Sequence, residues 1–234
     1  MKKFEEFEKI IKIKFKDQKL LKQAFVHRSY LNENPPSAGG LSGHNERLEF
    51  LGDAVLELAT TEYLYKKYPD KTEGDMTGFR ASLVNAIMLS EVANEIGMSD
   101  FLLLSKGEAK DEGKARQFIM ANTFEALVGA IYLDGGFKKA SVFLSRVLFP
   151  KLEKIIEEKL WIDAKSLFQE KAQDALGVTP TYKLIREWGP DHAKTFVVGV
   201  YLNNEMIAEG SGFSKQEAEQ HAAREGLKAK HWVD

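Results

Sequence analysis

The hydrophobic pattern of the chain changes its period near Asp163, and this change constrains the fold more than any other feature. Up to about residue 160, apolar side chains recur mostly at helical spacing. One interruption, over 30–43, is rich in Pro, Gly, Ser and Asn and predicts a loop. Beyond Gly177, the runs TYKLIRE, KTFVVGVYL and EMIAEGSG are typical of strands. The pattern therefore predicts a helical domain followed by a domain of another architecture.

The second domain has recognisable start and stop signals. A helical pattern over 164–176 ends at Gly177, and Asn203-Asn204 predicts a two-residue hairpin turn. The sequence SKQE, beginning at Ser214, is a capping box that predicts the start of a last helix. The order helix, three strands, helix predicts a small α+β domain. We place the domains at 1–160 and 161–234.

Composition excludes several classes of protein. The chain has 234 residues and no Cys, which excludes disulfide frameworks, thiol nucleophiles and Cys-ligated zinc. No apolar run reaches the roughly 18 residues of a membrane span. The first residues also lack the apolar core of a signal peptide. The lack of Cys permits a reducing compartment without proving one. We expect a protein of the cytoplasm that has no membrane partner. No glycine-rich phosphate loop is present, so no nucleotide cofactor is expected.

The segment HNERLEFLGDAVLEL predicts a helix with two contrasting faces, capped by Ser42 or Asn45. At about 100° per residue, one sector collects apolar side chains: Leu48, Leu51, Val55 and Leu58. The other sector collects acidic side chains: Glu46, Glu49, Asp53 and Glu57. Taken alone, this acidic stripe is best interpreted as the solvated face of an amphipathic helix. Phe50 projects into it, either as a stray exposed aromatic or as an anchor for another subunit.

The segment 118–133 is apolar nearly all round and predicts a buried helix. Asn122 and Glu125 interrupt it at a spacing that places them on one face. A buried carboxylate must meet a cation, a metal or strong donors, so Glu125 either pairs with a Lys or Arg, lies at the rim, or has a function. If this face meets the acidic stripe, Glu49, Asp53, Asn122 and Glu125 offer oxygen donors suited to Mg²⁺ or Mn²⁺.

ERLEFLGDAVL resembles the signature of the ribonuclease III family of double-strand-specific endoribonucleases. The segments AFVHRSY, EGDMTGFRASLVN, LLLSKGE and NTFEALVGAIYLDGG are similar to that family's helical endonuclease domain. The C-terminal part is similar to its double-stranded-RNA-binding domain. The resemblance implies an all-α endonuclease domain followed by a small α-β-β-β-α RNA-binding domain. It also implies a homodimer that uses Mg²⁺ and water to cut duplex RNA into 5′-phosphate and 3′-hydroxyl ends, in the processing of ribosomal and other RNA.

The resemblance also implies roles for individual residues. Glu49 and Glu125 match metal ligands of the family, and Glu125 is also essential to catalysis. Asp53 matches the catalytic carboxylate that helps position the attacking water. Glu46 matches an acidic residue that faces the RNA, and Phe50 matches the dimer contact.

Asn122 departs from the family, which usually has Asp as a metal ligand at this position. An amide oxygen can coordinate Mg²⁺ but carries no charge, so we expect lower metal affinity. Three explanations compete: a natural working variant, an engineered substitution that traps RNA, and a natural pseudo-enzyme. We favour the working variant. The alternative function is a dimer that binds double-stranded RNA with weak or no cleavage.

In the C-terminal domain, the resemblance implies RNA contacts at nine positions: Gln169, Glu170, Gln173, Pro190, Asp191, His192, Ser214, Lys215 and Gln216. Bulk charge does not support this role, because residues 163–234 contain nine Lys and Arg against eleven Asp and Glu. Family members usually have Lys where this chain has Gln216. We therefore expect weak RNA affinity from this domain.

Overall fold

The computed structural model of the protein describes residues 4–35, 43–110, 113–189 and 194–232. The chain divides into two compact units, residues 1–161 and 162–234. Within the described ranges, no helix is both long and apolar enough to cross a bilayer.

The described part of the first unit is helical, as predicted. Its helices are α1 (Phe4–Ile11), α2 (Gln18–Ala24), α3 (Arg28–Glu33), α4 (Glu46–Lys67), α5 (Glu73–Leu83), α6 (Ala86–Glu95), α7 (Lys114–Val147) and α8 (Lys151–Glu157). Two short 3₁₀ turns, Met98–Phe101 and Glu108–Lys110, lie between α6 and α7. The long helix α7 is kinked at Gly136, whose φ of 76° is a conformation that favours glycine.

The core of this unit forms around α4 and α7. The middle of α7 is buried on nearly all sides, because its residues 126–131 are apolar or Gly and contact neighbouring helices. A cluster of aromatic rings, Phe7, Phe25 and Phe101, packs edge-on or tilted beside it, with centroids 5.0–6.2 Å apart. Buried residues of α4 and α7 therefore lie at the centre of this core.

Three local predictions for the first unit were wrong in detail. Residues 30–33, expected in a loop, belong to α3, and residues 36–42, including the proposed cap Ser42, lie outside the described residues. Asn45 precedes α4 but does not cap it, because its side-chain amide donates to the Ala24 carbonyl at 3.1 Å. Leu58 was expected in the core and is 59% exposed.

The second unit has the predicted α-β-β-β-α order. It consists of α9 (Ala164–Leu176), β1 (Thr181–Trp188), β2 (Thr195–Leu202), β3 (Glu205–Gly212) and α10 (Lys215–Ala229). The strands form an antiparallel sheet in the order β1-β2-β3. Gly177 ends α9 with φ 66°, and Asn203 turns the β2–β3 hairpin with φ 56°. Phe168, Val200 and Ala222 are fully buried between the sheet and its two helices.

Candidate active site

Two glycines let α4 and α7 cross with their backbones in contact. A Cβ atom on Gly52 would lie 1.8 Å from the carbonyl oxygen of Glu125, and one on Gly129 would lie 2.3 Å from the carbonyl oxygen of Leu48. No side chain fits at either position. Because Asp53 follows Gly52 and Glu125 is one turn before Gly129, the crossing brings carboxylates of the two helices to one place.

The carboxylates at this crossing interact with one another. Burial, followed by the charges of Asp53 and Glu49, raises the pKa of Glu125 to about 7. Burial, followed by the charges of Glu46 and Asp53, raises the pKa of Glu49. The ionised forms of Glu125 and Glu49 are therefore disfavoured unless positive charge is supplied nearby.

Among the residues that the structure describes, cationic side chains pair with the acidic stripe at its two ends. Arg28 lies 3.8 Å from Glu46, measured between Nη1 and Oε1, and the His44 ring lies 3.7 Å from the same carboxylate. At the other end, Arg80 Nε lies 2.9 Å from Glu57 Oε2. Across the described parts of the chain, no cationic side chain forms an ion pair with the three carboxylates between them, which are Glu49, Asp53 and Glu125.

Asn122 lies one turn before Glu125 on α7 and is half-buried. The side-chain oxygens that could hold a cation here are three carboxylates and one amide, which are hard donors suited to Mg²⁺ or Mn²⁺. Among the described residues, no three His, Asp or Glu side chains are already gathered closely enough to hold a metal ion. The charges of these carboxylates nevertheless act on one another, as the raised pKa values of Glu125 and Glu49 indicate. The donor chemistry and the uncompensated charge fit a divalent cation.

In the second unit, the predicted RNA contacts on α9 are all exposed: Gln169, Glu170 and Gln173. They lie outward because Phe168 and Ala172 of the same helix point into the core. Pro190, Asp191 and His192 lie outside the described residues.

The start of α10 confirms half of the predicted capping box, because the serine cap forms but the Glu217 carboxylate reaches Phe213 instead of Ser214. Ser214 Oγ accepts the N–H of Glu217 at 3.2 Å, and the Glu217 carboxylate accepts the N–H of Phe213 at 2.8 Å. Lys215 and Gln216 are exposed in the first turn. The helix terminus and Lys215 can thus meet a phosphate, whereas the Ser214 hydroxyl already serves the cap.

Sequence reasoning missed the glycine crossing and the cations at the ends of the stripe. Gly52 and Gly129 were visible as single glycines within strongly helical patterns, which is a signal of close packing. Arg28 and Arg80 gave no such signal, since their partners lie on another helix.

Two family descriptions match the chain. Residues 17–152 match "Ribonuclease-III-like", and residues 164–229 match "Double-stranded RNA binding motif". Together with the helical nuclease fold, they define the class of protein: an endoribonuclease that acts on double-stranded RNA.

Known proteins identify the family within this class. Ribonuclease 3 of Nitratiruptor sp. is 42% identical over 228 residues, covering 97% of each chain. Ribonuclease 3 of Bacillus licheniformis is 44% identical over 225 residues, covering 96% of this chain and 88% of the relative. The nuclease domain of ribonuclease III from Campylobacter jejuni is similar in structure, with a TM-score of 0.56 and 38% identity, over 63% of this chain and 99% of that one. The chain belongs to the ribonuclease III family, so the family, the fold class and the enzymatic function predicted from the sequence are confirmed.

Proposed function

We propose that this endoribonuclease cuts duplex RNA with the help of Mg²⁺, or of Mn²⁺ in its place, at the crossing of α4 and α7. The observation that carries the proposal is the group of three interacting carboxylates, Glu49, Asp53 and Glu125, which no cation of the described chain neutralises. Carboxylates that repel one another at a partly buried place are destabilising unless they have a function or a counter-ion.

Each residue has a proposed part in this chemistry. Glu49, Asn122 and Glu125 hold the divalent cation through their side-chain oxygens. When bound, such a cation lowers the pKa of water and stabilises negative charge on the departing oxygen. Asp53 is exposed at the same crossing, and its carboxylate accepts a hydrogen bond from the attacking water.

The proposed reaction is hydrolysis of a phosphodiester. The water oxygen forms a bond to phosphorus, the bond from phosphorus to the 3′ oxygen breaks, and that oxygen takes up a proton. The products carry a 5′-phosphate and a 3′-hydroxyl. Glu46 is held by Arg28 at the end of the stripe, and we assign it an RNA-facing position rather than a catalytic one.

The second unit, with its boundary near residue 160, is proposed to hold the duplex by its shape. The proposed contacts to RNA are made by exposed polar residues of α9 and by the start of α10 with Lys215. They do not depend on a net positive charge of the unit. Ribosomal and messenger RNA precursors in the cytoplasm are the proposed substrates.

The Lys215→Gln change removes a charged phosphate contact, and we expect several-fold weaker binding of a 20-base-pair duplex in a gel-shift assay. The control Lys230→Gln, at the opposite end of α10, leaves binding unchanged.

We further propose that the enzyme works as a homodimer joined through α4. Three large side chains spaced along that helix face solvent: Phe50, Leu58 and Tyr65 are 83%, 59% and 72% exposed. A stripe of this kind is typical of a surface that another subunit covers. The exposed position of Phe50 supports its assignment as the dimer anchor.

Cleavage of a long RNA duplex with Mg²⁺ or Mn²⁺ tests the proposed chemistry. We expect Asp53→Asn and Glu125→Gln to reduce the cleavage rate at least 100-fold. The matched control is Glu57→Gln, on the same face of α4 but paired with Arg80, and it should retain nearly full activity. Equal losses in all three variants would refute the assignment.

Metal binding is tested separately by titration calorimetry with Mn²⁺. Wild-type protein should bind Mn²⁺ at defined stoichiometry, and Glu125→Gln should not. The non-cleaving alternative gains no support, since the family match and the three carboxylates both favour cleavage. It would return if the wild-type chain bound duplex RNA but left it uncut with both metals.

A further inference from the structure

A concavity of about 400 Å³ lies on the first unit, between the chain that follows α1 and the part of α7 beyond Gly136. Five basic side chains line it, and no acidic residue is among the described residues that line it: Lys12, Lys14, Lys138, Lys139 and Arg146. The active-site residues of α7, Asn122 and Glu125, precede the kink. The concavity is therefore separate from the acidic crossing.

The pattern of the segment after α1 explains how its lysines reach the surface. Side chains alternate there, with Ile13 and Phe15 buried in the core and Lys12 and Lys14 exposed. Lys12 lies in the left-handed backbone region, with φ 51°, and both lysines line the concavity.

Hydrogen bonds fix this segment against α7. The Asp134 carboxylate, whose side chain is 1% exposed, accepts the N–H groups of Lys16 and Asp17 at 2.7 and 2.9 Å. Lys139 Nζ donates to that carboxylate at 2.8 Å and to the carbonyl of Lys14 at 2.9 Å. Arg146 donates to the carbonyl of Ile11 at 3.0 Å. These hydrogen bonds therefore fix the backbone that forms the wall of the concavity, so the wall does not consist only of mobile lysine side chains.

Most of the positive charge in the wall is uncompensated. Asp134 neutralises Lys139. In the described ranges, no carboxylate forms an ion pair with Lys12, Lys14, Lys138 or Arg146. Four positive charges in one concavity repel each other, in a chain whose formal net charge is −2. A bound polyanion would relieve this repulsion.

We propose that this concavity is a second phosphate-binding site, which holds the backbone of an RNA strand away from the place of cleavage. RNA is the polyanion that this enzyme already binds, and a concave wall suits a sugar–phosphate backbone better than a flat membrane surface. The site contributes to affinity for long substrates, and it takes no part in the chemistry.

The test compares two triple variants of the full chain. In the first, Lys12, Lys14 and Lys138 are changed to Gln. In the second, the matched control, the exposed lysines Lys19, Lys22 and Lys71, which lie outside the concavity, are changed to Gln. Binding to a long RNA duplex is measured without divalent metal, over a range of salt concentrations. Acetylation of each lysine with and without RNA, followed by mass spectrometry, locates the contact.

We expect the first variant to bind long duplex about 10-fold more weakly, with the slope of log K against log salt reduced by about 2 to 3. RNA should protect Lys12, Lys14 and Lys138 from acetylation in the wild-type chain. Cleavage of a short duplex should be unchanged, which separates this proposal from that of the active site. Equal loss of affinity in the control variant would overturn the proposal, as would the absence of protection by RNA. Protection by inorganic pyrophosphate but not by RNA would overturn it too.

Discussion

Removing the charge of Glu125 should stabilise the metal-free enzyme while abolishing its activity. The pKa of this carboxyl rises from its ordinary 4.5 to about 7 because it is buried beside Asp53 and Glu49. A carboxyl whose pKa is raised by folding contributes its full stability at a pH below its pKa in the unfolded chain. This stability is lost as the pH rises through its pKa in the folded protein. Above pH 7, the ionised Glu125 carboxylate therefore lowers the free energy of unfolding of the metal-free wild-type protein.

The size of the effect follows from the pKa. At 1.36 kcal/mol per unit of pKa, the rise corresponds to roughly 3 kcal/mol, and solvent screening reduces it to about 1 to 3 kcal/mol. Glu125→Gln removes this penalty at pH 8.5. At pH 5, most of the penalty is already absent from the wild-type chain, and the variant should gain less than about 1 kcal/mol.

Calorimetric unfolding in EDTA at the two pH values measures the difference, because it resolves separate transitions of the two units. The nuclease transition of Glu125→Gln should rise by about 3 to 9 °C at pH 8.5. Saturating Mg²⁺ should reduce the difference in unfolding temperature between the variant and the wild type, since a cation neutralises the carboxylates of the wild type. Glu57→Gln serves as the control and should give no increase, because it breaks the pair with Arg80. An equal rise at both pH values, or none at pH 8.5, would refute the argument that the carboxylates repel one another.

Three further changes test the packing, the metal site and the dimer. Gly52→Ala should lower the free energy of unfolding of the nuclease unit, measured in urea, by about 3 kcal/mol, because the new Cβ would lie 1.8 Å from a backbone oxygen. In the control Gly74→Ala, the nearest atom to the new Cβ lies at 3.8 Å, so the free energy of unfolding should change by less than about 1 kcal/mol. A wild-type urea midpoint for Gly52→Ala would contradict the close crossing. Asn122→Asp adds a charged oxygen donor and should lower the Mg²⁺ concentration for half-maximal cleavage about tenfold; an unchanged Mg²⁺ dependence would mean that residue 122 is not a ligand. Phe50→Ala should give a monomer in sedimentation equilibrium, whereas Leu176→Ala, which is also exposed, should not; a Phe50→Ala dimer as stable as the wild type would exclude Phe50 as the anchor.

Much of the fold follows from local patterns in the sequence. The 3.6-residue period predicts the helices, and the change of period after Gly177 predicts the three strands. The serine cap at Ser214 and the turn at Asn203 depend on residues close together in the chain, so their geometry could be predicted. The same period places Glu49 and Asp53 on one face of α4, and Asn122 and Glu125 on one face of α7.

Local patterns failed where a long-range contact decides the outcome. Leu58 has the spacing of a core residue, yet it is 59% exposed, since no element of the described ranges covers it. Asn45 has the chemistry of a helix cap, yet its amide donates to a carbonyl of α2. In both cases the outcome depends on elements that lie far away in the sequence: one supplies a partner for Asn45, and none packs over Leu58 in the described ranges.

The sequence by itself determined which acidic side chains share a helix face, because that depends only on the helical repeat. Only the tertiary structure decided which of them remain uncompensated. Arg28 and Arg80 pair with the ends of the stripe, while the contact of Gly52 and Gly129 with the opposite backbones brings α4 and α7 close enough for their carboxylates to affect one another. Charge interactions depend on distance in space and on burial, and residues on two helices acquire both only when the chain has folded.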